Sequence, residues 1–180
     1  CRNIDGIMKG WHLFFQADDF SQAPYINQPI LLKNIERRMV GDTKKAQFET
    51  IAICLLPDHL HCLWKLPVGD ANYSTRWKAI KRAFTNGYLI QIGSGEEGMH
   101  PGKNKVKRPL AAAVWEHFID CEDNLENHLD YIHYNPVKYD YVNRPVDWPW
   151  SSFQRFVKMG VYAPDWDGQD PGRLSCFYDE

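Results

Sequence analysis

Leu55-Leu56-Pro57-Asp58-His59-Leu60-His61-Cys62-Leu63-Trp64-Lys65-Leu66-Pro67 joins two apolar runs through a Pro-Asp turn. In a strand, residues two apart point to the same face. His59 and His61 would then stand side by side on one face while Leu60 turns into a core. The runs before and after the turn, Phe48 to Leu55 and His59 to Leu66, predict a β-hairpin. A pair of neighbouring imidazoles is half of a metal site. Taken alone, a His-x-His strand is more often structural than ligating. Its meaning depends on what the rest of the chain brings to it.

Working outward, Trp11 to Phe15 reads as an earlier, aromatic strand, and Ile30 to Val40 as a helix opening behind Pro29. After the hairpin, Ser74 caps an expected helix to Asn86, stopped by Gly87. Trp77, Ile80 and Phe84 form its buried stripe, at spacings of three and four. Val114 to Ile119 reads as a strand, followed by a helix from Cys121 to Asn135 that Pro136 ends. Strand, helix, strand, strand, helix, strand is the split βαβ order. It predicts an α+β, ferredoxin-like domain with an antiparallel sheet and helices on one face. A further helix carries Tyr131. The expected domain spans 1–159, with an acidic tail at 160–180.

The chain has 180 residues, 44% of them hydrophobic and 14% aromatic, which suits one ordered domain. No apolar run is long enough for a membrane span, so no membrane partner is expected. Five cysteines without a CxxC pair argue against a disulfide framework and for a reducing, cytoplasmic setting. The net charge of −2 is unevenly spread: residues 160–180 carry −4 and the remainder +2. Basic clusters occur at Lys33–Lys45, Arg76–Arg82 and Lys103–Arg108. Lys78, Lys81 and Arg82 fall together on the surface of their helix, which fits a solvated face or a phosphate-contacting one. The glycine-rich stretch from Gly93 to Lys107 lacks the spacing of a phosphate-binding loop.

Tyr131 and Asn135 lie four apart, on one helical face, so an amide oxygen sits one turn from a phenol. Neither residue is informative in isolation, because a helical tyrosine is by default core or interface.

Four blocks in order carry a resemblance: Leu56 to Cys62, Trp115-Glu116-His117, Asp130 to Lys138, and Asp147 to Phe153. Together they resemble the REP-associated tyrosine transposases, a bacterial branch of the single-tyrosine HUH transposases, over about Trp11 to Trp166. The resemblance implies His59 and His61 as metal ligands, Asn135 as a third ligand and Tyr131 as the nucleophile. Tyr134 is the competing nucleophile, with Tyr139 and Tyr141 weaker because they follow Pro136. It further implies a divalent metal, Mg or Mn, and no nucleotide cofactor. The implied reaction is cleavage and strand transfer of single-stranded or hairpin DNA through a 5′-phosphotyrosine link, by a monomer. Arg76, Lys78, Lys81 and Arg82 are expected to bind DNA. Glu116, His117 and Asp130 are expected to organise the site, the carboxylates as partners of the imidazoles. His128 and His133 are expected on the helix surface.

The chain departs from the pattern at Tyr139-Asp140, where a His-Gly or similar turn is usual, at the acidic end of the first strand, and in the length of the Gly93–Lys107 loop. Two other functions compete with cutting: a hairpin-binding protein that does not cleave, and a metallohydrolase that leaves Tyr131 idle.

Overall fold

The computed structural model describes residues 11–17, 48–57, 59–70, 72–82, 114–119 and 122–168. The helix expected at Ile30 to Val40, the Gly93–Lys107 loop, two of the three basic clusters and residues 169–180 lie outside these segments.

Four strands, β1 (Trp11–Ala17), β2 (Glu49–Leu55), β3 (Leu60–Leu66) and β4 (Val114–Ile119), form one sheet in the order β2-β3-β1-β4. All neighbours are antiparallel, and β3 lies between β1 and β2, which is the split βαβ arrangement. The β2–β3 hairpin closes through a bond from the Leu56 N–H to the His59 carbonyl, and Leu55 pairs with Leu60. Pro57 suits this tight corner because its φ is already set for a turn.

Side-chain alternation along β3 separates two packing layers. Trp64 looks to one side, where it lies between Phe48 and Trp77 at ring distances of 4.3 and 5.0 Å. Trp77 belongs to α1, the helical segment 73–82. His61 and Leu63 look to the other side, where α2 (Glu122–Lys138) packs. A β-bulge at Ile51 turns two successive residues, Ile51 and Ala52, toward α2. Arg155 donates to the Ile51 carbonyl there, satisfying an acceptor at the irregular point of the ladder. Among the described residues α1 lies on one face of the sheet, and α2, which carries Tyr131, lies on the other.

Helix α2 does not end before Pro136. It continues through the proline to Lys138 and closes in two capping bonds, Asp140 N–H to Val137 O and Tyr141 N–H to Pro136 O. Proline removes one ladder bond but does not prevent a last turn when packing holds the chain. Leu125, Leu129 and Ile132 provide that packing; each is almost fully buried and contributes roughly 1.5–3 kcal/mol. The capping turn puts Asp140 at φ 58, a left-handed conformation that glycine adopts at less cost.

Residues 148–152 run along the free edge of β2. Trp150 O accepts from Leu55 N–H, the Trp148 indole donates to Leu55 O, and Ser152 N–H donates to Ile53 O. The Asp147–Phe153 block is therefore a brace on the strand that leads into the His-Leu-His turn. After it come α3 (Phe153–Lys158) and a segment in which Val161 and Tyr162 are buried. The boundary expected after residue 159 falls inside the packed body, because these residues complete the core around Phe153 and Phe156.

His128 and His133, expected on the surface, are buried. His133 sits in a polar chain that links three elements. Ile53 N–H donates to Ser152 Oγ at 3.0 Å, and Ser152 Oγ lies 2.9 Å from His133 Nε2. On the other side of the ring, His133 Nδ1 lies 3.3 Å from the Tyr162 hydroxyl, which donates to Asp130 at 2.8 Å. With its proton on Nδ1 the ring donates to Tyr162 and accepts from Ser152, whose hydroxyl also has the Ile53 carbonyl within 3.2 Å as an alternative acceptor. Hydrophobic periodicity could not reveal this, since a histidine reads as polar whether its partners are water or a buried hydroxyl.

Candidate active site

His59 and His61 project from the hairpin toward α2, as their two-residue spacing requires. Their ring centres are 4.9 Å apart. The His61 ring meets Tyr131 edge-on at 5.0 Å, and the His59 ring meets Tyr139 at 5.0 Å. His59 and His61 are both buried, and so is Tyr131. Burial pushes the pKa of His61 well below its ordinary value, aided by the charges of His59 and Lys138 and opposed by the Asn135 side chain. The ring is therefore neutral at physiological pH, with a lone pair to offer.

Asn135 is completely buried one turn after Tyr131. Its Nδ2 donates to the Tyr131 carbonyl at 2.8 Å, in the turn that Pro136 weakens. Its Oδ1 accepts no hydrogen bond of ordinary geometry, while the amide lies close enough to His61 to favour the protonated ring. A buried amide oxygen beside two imidazoles is a donor set for a divalent cation with open positions. Among the described residues no cluster of three His, Cys, Asp or Glu side chains offers a competing metal site.

The rival tyrosine points elsewhere. Tyr134 packs under Gly168 and Trp166, away from both histidines. Gly168 has φ 76, and any Cβ there would collide with the Tyr134 ring. Packing separates the two tyrosines, because Gly168 and Trp166 take up the Tyr134 ring.

The carboxylates expected to support the histidines have other partners in the structure. Glu116 accepts from the Tyr73 hydroxyl at 3.0 Å on the α1 side of the sheet, because it alternates with His117 along β4. Asp130 is held by Tyr162. His117 does face α2, stacked on His128 with ring centres 5.5 Å apart. His128 lies three residues, about one turn, before Tyr131 on α2.

The basic residues of α1 are likewise on the opposite face from Tyr131, since Trp77 of the same helix stacks on Trp64. Arg76 is tied to Asp70 and lies 5.7 Å from the Phe48 ring. Lys78 and Arg82 are exposed and Lys81 is half-buried.

Two residues at the site were given no part, or a weak one, by sequence reasoning. Lys138 Nζ lies 5.0 Å from the Tyr131 ring centre and 5.8 Å from that of Tyr139. Lys138 follows Tyr131 by seven residues, two helical turns, a spacing that becomes readable only once the helix is known to pass Pro136.

No family model matches the chain. The chain is 44% identical over 123 residues to a Haemophilus influenzae REP-associated tyrosine transposase, covering 67% of this chain and 68% of that protein. It is 39% identical over 121 residues to the Escherichia coli REP-associated tyrosine transposase, covering 67% of this chain and 64% of that one. A solved structure of a REP-associated tyrosine transposase bound to a REP hairpin superposes with a TM-score of 0.66 at 31% identity. The superposition covers 88% of this chain and 86% of the other. With sequence and fold agreeing over most of its length, this chain belongs to the REP-associated tyrosine transposases and is an enzyme of the tyrosine transposase type.

Proposed function

We propose that the protein is a metal-dependent endonuclease and strand-transferase for single-stranded DNA that carries REP-like hairpins. The observation that carries this reading is the approach of Tyr131 to the neutral His61, with Asn135 one turn away. The solved relative bound to a REP hairpin supports the choice of DNA.

His59, His61 and Asn135 would hold Mg or Mn. Such an ion, when bound, supplies positive charge to a scissile phosphate. The Tyr131 oxygen attacks phosphorus and the bond to the 3′-oxygen breaks. The phenol loses its proton and the departing 3′-oxygen gains one, which leaves a 5′-phosphotyrosine and a free 3′-hydroxyl. Attack of a 3′-hydroxyl on that link rejoins DNA and regenerates the phenol. One ester replaces another in each step, so no nucleotide is consumed. Tyr131 is buried on the side of α2 that meets His61. The working unit is proposed to be a monomer, with Tyr131 acting beside the histidines of its own chain.

Incubation of hairpin DNA having single-stranded flanks with protein and Mn or Mg should yield a covalent protein–DNA adduct. Tyr131→Phe should abolish the adduct and leave hairpin binding, and a chelator should abolish it reversibly. Binding without any adduct from the wild type would identify a non-cleaving hairpin-binding protein. Cutting that persists in Tyr131→Phe would identify a hydrolase.

A further inference from the structure

Beyond the metal-ligand set and the nucleophile, the last turn of α2 presents a cation and an aromatic ring at the rim of the same site. Tyr131, Asn135 and Lys138 follow at steps of four and three, one face of the helix. Helical side chains tilt toward the N-terminus, so the long Lys138 reaches back two turns. Its ammonium ends 5.0 Å from the Tyr131 ring centre. Tyr139 follows with 45% of its surface exposed. Its ring stands 5.0 Å from His59 and 5.8 Å from the same ammonium. The ammonium thus lies near both rings, one belonging to the buried nucleophile and the other open to solvent.

We propose that Lys138 and Tyr139 form the strand-holding wall of the site. Lys138 pairs with the phosphate that Tyr131 attacks, and Tyr139 stacks on the nucleotide next to that phosphate. The proposal rests on the DNA-cutting reading above and adds its substrate-binding half. A single-stranded nucleotide is the occupant that fits, because it offers an anion and a flat ring one backbone unit apart. A cation beside an aromatic platform is the recurrent chemistry of single-strand binding. Stacking accepts any base, so this wall fixes position rather than sequence.

The test reads binding and cutting separately. Binding of a hairpin with single-stranded flanks is titrated in Tyr131→Phe protein, and adduct formation is timed in protein retaining Tyr131. Adding Tyr139→Ala should weaken binding of the flanked hairpin about tenfold, and Tyr139→Phe should retain the affinity that alanine loses. An abasic position beside the scissile phosphate should erase the difference between Tyr139 and alanine. Lys138→Met should lower the salt slope of binding by roughly 0.7, one phosphate contact on a single strand. It should also slow adduct formation at saturating DNA about tenfold or more, with Lys138→Arg recovering most of the rate. Unchanged salt dependence and rate in Lys138→Met, or a Tyr139→Ala defect that persists on abasic DNA, would overturn this wall. A wild type that forms no adduct would overturn the cutting reading instead, while the binding titrations still decide the wall.

Discussion

Acid should destabilise this protein in part through a histidine outside the catalytic set. His128 is buried on α2, its Nδ1–H donating to the Asn124 carbonyl at 2.6 Å, its ring stacked on His117. Burial first, and the neighbouring His117 second, push its pKa from 6.5 down to about 4, against the pull of the Asn124 carbonyl. In the unfolded chain it titrates near 6.5. Between pH 6.5 and 4 the unfolded state binds a proton that the folded state refuses, so stability falls as pH falls. Above 6.5 neither state is protonated and the effect vanishes. At 1.36 kcal/mol per unit, the full cost below pH 4 is about 3 kcal/mol, a large share of a typical domain's stability. His128→Leu removes the titrating group and one hydrogen bond, so it should be about 1 kcal/mol less stable at pH 7. Near pH 4 the order should reverse, with the variant the more stable by about 2 kcal/mol, the difference between those two figures. Urea midpoints at pH 7, 6, 5 and 4 on both proteins measure it. Parallel curves that never cross would refute the assignment of this acid sensitivity to His128.

Two backbone positions give further tests. Asp140 takes φ 58 in the turn that ends α2, whereas the same pair of capping bonds ends α3 with Gly160 at φ 73. Asp140→Gly should raise stability by about 1 kcal/mol, read as a higher urea midpoint at unchanged slope. Gly168→Ala should do the opposite, losing more than about 2 kcal/mol, since the left-handed backbone and the Tyr134 ring both oppose a Cβ. Pairing it with Tyr134→Ala should recover the steric part in a double-mutant cycle.

Much of the frame was legible in the residues. Alternating strands and amphipathic helices set an antiparallel split βαβ order, and β4 begins and ends where the reading of Val114 to Ile119 as a strand put it. The two-residue spacing of His59 and His61 was enough to put them on one face. Periodicity also linked Tyr131 to Asn135, because three- and four-residue steps are a local property of any helix.

Other assignments depended on contacts between distant segments. A polar side chain carries no mark of which partner will enclose it. His133 was therefore taken for surface, although Ser152 and Tyr162 enclose it from 19 and 29 residues away. Glu116 and His117 are adjacent in sequence, yet strand alternation sends one toward Tyr73 and the other toward α2. Proline is a local stop signal, and α2 overrides it because Leu125, Leu129 and Ile132 hold the helix on the sheet. That extra turn carries Lys138 and Tyr139 to the histidines. The sequence by itself determined the strand order's elements and the pairs within one element. Only the tertiary structure decided which tyrosine meets the histidines and what stands beside it, because that depends on packing across the sheet.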